Sequence, residues 1–147
     1  MAEMTRWGEN VYRDEEAAWQ EYPRPQMQRE NWQCLNGMWD YAVSGQEVET
    51  MPEAEGKIRV PFCIESALSG VKRPLQPEEK LWYRRTFSLP QEWEGRRILL
   101  HFGAVDWRAQ VVGEWAEVAE RLGGGPRPCA PCAAARARGR TDTGVGG

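Results

Sequence analysis

Leu99–Trp115 reads LLHFGAVDWRAQVVGEW. The stretch Ile98–Phe102 is almost entirely apolar, which predicts a strand covered on both faces. Gly103 and Asp106 follow as turn residues. The end of the stretch breaks this pattern. In Glu114–Gly125, EWAEVAERLGGG, Trp115, Val118 and Leu122 are spaced by three and four. That spacing predicts one or two amphipathic helical turns, with Gly123 as the stop. Beyond Gly123 the chain is mostly Gly, Pro, Ala and Arg, and Val145 is its only large aliphatic residue. Such a segment buries too little apolar surface to offset its ordering entropy, so residues 123–147 are expected to be a disordered, low-complexity tail.

Upstream, the pattern is β throughout. In Gly37–Ser44, GMWDYAVS, Trp39, Tyr41 and Val43 alternate with Asp40 and Ala42. Asn36-Gly37 stands just before as a turn pair that tolerates positive φ. In Glu53–Phe62, EAEGKIRVPF, Ile58, Val60 and Phe62 alternate with Lys57, Arg59 and Pro61. Pro61 cannot donate to a ladder, which predicts an edge or exit there. Leu81–Pro90, LWYRRTFSLP, is aromatic and β-branched enough for a third strand closed by Pro90. Residues 91–95 link it to the apolar run. No helical pattern between these strands is long enough for a parallel crossover. The order therefore predicts an all-β, antiparallel fold, a partial jelly-roll β-sandwich. Residues 1–23 read as a polar, extended lead-in with a short helix over Asp14–Glu21, and 24–122 as the folded domain.

Composition limits the function. The 147 residues carry a net charge of -3, and the basic residues are scattered apart from Arg136–Arg140. That cluster has no interleaved aromatics, so no nucleic-acid partner is expected. The N-terminal segment has no apolar central run and no stretch suits a bilayer, which predicts a soluble, cytoplasmic chain without a membrane partner. Cys34 and Cys63 sit in apolar surroundings and read as buried thiols. Cys129 and Cys132 form a single CxxC, and His101 is the only histidine, so neither metal nor cofactor is expected.

Taken together, NWQCLNGMWDYAV, GKIRVPFCIESALSGV and LWYRRTFSLPQEWEGRRILLHFGAVDWRAQV resemble, in order and spacing, the N-terminal sugar-binding domain of family 2 glycoside hydrolases, the β-galactosidase and β-glucuronidase family. The resemblance runs from about Arg24 to Val111. It implies a galactose-binding-like jelly roll that precedes an immunoglobulin-like sandwich and a catalytic TIM barrel. It further implies a parent enzyme that hydrolyses β-linked sugars by the retaining route, with two glutamates contributed by the barrel. Such a parent would bind carbohydrate and dock this domain on its own barrel.

The family pattern continues with a segment like WVNG, where this chain has Val112-Gly113-Glu114-Trp115. These four can be encoded GTG GGT GAA TGG, and a one-nucleotide shift gives TGG GTG AAT GG, or Trp-Val-Asn-Gly. The expectation is a frame slip that recovers near Glu117, then a second after Gly124. The chain is thus expected to be an inactive fragment with about half of the jelly roll and no catalytic residues.

The remaining polar and aromatic residues are weighed on their surroundings. Glu65, Glu78, Glu79, Glu92 and Glu94 lie mostly in polar loops, where solvated carboxylates are expected. His101 reads as a hydrogen-bonded structural residue in mid-strand. Trp39 and Trp82 fall in the strand pattern and read as core. Trp93 and Trp107 flank loops and are candidates for sugar stacking or for docking the barrel. Asp106 is read first as an Asx residue of its turn, with contact to a sugar hydroxyl as the other role. Trp93, Asp106 and Trp107 are therefore the candidate substrate-binding residues. Arg84 and Arg85 either pair with carboxylates across the sheet or stand solvated.

Overall fold

The computed structural model describes residues 8–10, 20, 26, 29–102, 108–113, 116–122 and 141–146. Its strands are β1 (Gly37–Gly45), β2 (Gly56–Val60), β3 (Glu79–Phe87), β4 (Arg108–Gly113), β5 (Ala116–Leu122) and β6 (Thr141–Gly146). They form one sheet in the order β2-β1-β3-β6-β4-β5. Every pairing is antiparallel, as the absence of crossover helices predicts.

The first three strands lie where the alternation puts them. Gly37 opens β1 at φ 127°, a conformation that favours glycine. Trp39 faces Ile58 across β1–β2, and Tyr41 faces Tyr83 across β1–β3. These residues share one face, and Trp39, Ile58, Leu81 and Ile64 form its core. Leu35, Val71, Leu75 and Phe102 pack against that core. Among the described residues, the layer opposite the sheet is thus made of loop and turn segments. The other face is closed as well: Ala42 stands beside Trp82, and they are 0% and 6% exposed. Trp82 Nε1 donates to Ser44 Oγ at 2.7 Å. β2 is one of the two outer strands and ends at Val60, just before Pro61, as expected of an edge.

The loop from Pro61 to Glu78 supplies part of the roof and is tied down by its hydroxyls. Ser66 caps a 3-10 turn, Ala67–Ser69, by accepting from Leu68 N, and Gly70 ends it at φ 86°. The buried Ser69 hydroxyl donates toward Ser66 O at 2.8 Å and Ile64 O at 3.1 Å, and it accepts from Val71 N at 3.1 Å. Arg73 then clips the corner, with Nη2 at 2.5 Å from Glu79 Oε1 and Nη1 at 3.4 Å from Glu55 Oε2.

Three expectations change in the second half. The apolar run Ile98–Phe102 forms no strand and belongs to no ladder. Leu99 and His101 are exposed, while Ile98, Leu100 and Phe102 are half-buried, so the run is covered on one side and not on both. The edge of β3 away from β1 is taken by β6 instead. Ala116–Leu122 is a strand hairpinned to β4, not a helix. Val118 and Leu122 are four apart, a spacing that satisfies period two as well as it satisfies a helix. Within the tail, Thr141–Gly146 is β6, placed between β3 and β4. The helix expected over Asp14–Glu21 and the CxxC of Cys129 and Cys132 lie outside the described residues, as does most of the lead-in.

Candidate functional site

Trp93 is set by a short 3-10 turn, Gln91–Trp93, which follows Pro90 and precedes Gly95 at φ 76°. Its indole is half-buried, and Nε1 donates to Asn31 Oδ1 at 3.1 Å. The next residue, Trp32, lies 5.7 Å from the His101 ring, tilted by 49°. Asn31 and Trp32, adjacent in sequence, thus touch the Trp93 turn and His101 respectively. Asp106 and Trp107, the other two candidates, lie outside the described residues. His101 is exposed and set against Trp32, not held within a ladder as its sequence position suggests.

The charged residues mainly serve the fold. Asp40 stands between Lys57 Nζ at 2.5 Å and Arg84 Nη2 at 3.4 Å, across the β1–β2 and β1–β3 registers. The Lys57 hydrogen bond, and secondarily the charges of Lys57 and Arg84, hold the Asp40 carboxyl below its ordinary range. Lys57 is well exposed, so this pair contributes little to stability. Of the two arginines left open by the sequence, Arg84 makes the cross-sheet pair. Arg85 instead donates from Nη1 to Leu35 O at 2.6 Å and Asn36 O at 2.8 Å, with its guanidinium 5.9 Å from the Trp39 ring. The carbonyl partners of Arg85 are far away in sequence and carry no side-chain signature, so its role is not readable from the sequence. Glu55 and Glu79 share the Arg73 guanidinium, and Glu65 Oε1 accepts from Leu75 N at 3.4 Å.

Cys63 is exposed and Cys34 half-buried, which corrects the expectation of two buried thiols. Among the described residues, no group of three or more His, Cys, Asp or Glu side chains could hold a metal, and no helix is long and apolar enough to cross a membrane.

Tyr83 is the most strongly shifted acid. Burial on the core face pushes its phenol up to about 12, with Glu65 and Cys63 adding to the effect. The folded state therefore favours the neutral phenol. Its contribution is fully present below pH 10.0, the ordinary phenol value, and is lost as pH rises toward about 12. Tyr83→Phe is expected to flatten the alkaline limb of stability by about 1–2 kcal/mol. Urea unfolding at pH values on either side of that window checks this.

No family model and no curated protein matches the chain. Solved structures do. A Faecalibacterium prausnitzii β-glucuronidase is similar at TM-score 0.62 and 25% identity, over 85% of this chain and 22% of that one. A Ruminococcus gnavus β-glucuronidase in complex with C6-substituted uronic isofagomine gives TM-score 0.64 and 23% identity, over 89% and 23%. The same enzyme in complex with D-glucaro-d-lactam gives 0.62 and 24%, over 86% and 23%. The fold is that of a family 2 glycoside hydrolase N-terminal domain. This chain spans less than a quarter of the length of those enzymes.

The family 2 motifs acquire physical roles in this fold. In LNGxWxY, Leu35 offers its carbonyl to Trp39 Nε1 at 2.8 Å and to Arg85, Gly37 makes the positive-φ entry, and Trp39 and Tyr41 face the core side. In ESALSG, the serines and Gly70 build the capped turn. In WYRRxF, Trp82 closes one face of the sheet while Tyr83 and Arg85 serve the other. These are folding roles: each motif residue named here packs, caps or ties the sheet and its loops.

Proposed function

We propose that this chain is the N-terminal, sugar-binding-domain portion of a glycosidase that hydrolyses O-glycosyl bonds of β-linked sugars such as β-glucuronides or β-galactosides. The hydrolytic carboxylates belong to a barrel outside this chain, and the portion itself is non-catalytic. One observation supports this most strongly: the similarity spans 85% of this chain but only 22% of the F. prausnitzii β-glucuronidase. In this reading Trp93, Asp106 and Trp107 meet either the sugar or the parent's barrel. The altered reading frame after Val111 belongs to the same proposal.

Two measurements test it. The nucleotide sequence downstream should continue the family pattern in another frame and encode the two glutamates. Purified chain should turn over neither nitrophenyl β-glucuronide nor nitrophenyl β-galactoside, and calorimetric titration with the free sugars should not saturate. Turnover by the chain alone overturns the non-catalytic reading. Saturable sugar binding, with no downstream family sequence, would replace it with a stand-alone carbohydrate-binding module.

A further inference from the structure

We draw no further inference here: the strongest candidate, the surface patch of Met38, Lys57 and Arg84 on the face of the sheet that buries Trp82, carries nothing because Asp40 already pairs with both cations and nothing in the structure shows what covers the exposed methionine.

Discussion

Ile58→Ala lowers the unfolding free energy by about 3–4 kcal/mol, the range for emptying a fully buried aliphatic site. Ile58 is 0% exposed and lies on β2, directly across from Trp39. β2 has only one strand neighbour, so the side chain, with the β1 ladder, is what fastens this strand to the core. For a small domain with about 5–10 kcal/mol in total, that loss is a large share of the whole. Ile58→Val removes one methylene and should cost about 1 kcal/mol. Urea unfolding followed by tryptophan emission measures both. Equal costs for the two variants would mean that the site is loosely filled and that β2 is held by its backbone alone.

Trp39→Ala is expected to cost about 3–5 kcal/mol. Several interactions go together here. The indole is 7% exposed, its Nε1 donates to Leu35 O at 2.8 Å, and its ring meets Tyr83 edge-on at 6.4 Å. It also shields the Arg85 guanidinium, whose pKa burial lowers. Leu35 O keeps its Arg85 partner after the deletion, so the main loss is packing and not an orphaned carbonyl. Trp39→Phe should therefore recover most of the stability and leave a deficit of about 1 kcal/mol for the missing N–H donor. The same unfolding series reads the order. A phenylalanine variant as damaged as the alanine variant would transfer the weight from packing to the hydrogen bond.

Much of the first half was legible because its strands alternate cleanly and bury one face. Trp39, Ile58 and Trp82 could be placed in the strand pattern from the alternation, and Pro61 marked the edge. The second half was harder for physical reasons. Ile98–Phe102 has the composition of a buried strand, but composition cannot show that the β3 edge is already taken by β6. Val118 and Leu122 fit both periods, and pairing with β4 decided the matter. Thr141–Gly146 has two glycines and little apolar content, yet backbone pairing on both sides places it in the sheet. That Trp93 flanks a loop was readable because Pro90 and Gly95 bracket it. Its Asn31 partner was not, since the contact joins residues 62 positions apart. Arg85 escaped for the same reason: it addresses carbonyls, which every residue carries.

The two faces of the sheet around β1 and β3 are unequally covered. Trp39, Ile58 and Leu81 are buried on one, while the other buries Ala42 and Trp82 but leaves Met38, Lys57 and Arg84 exposed. Anything approaching this second face meets a border of ionic groups before it meets the indole.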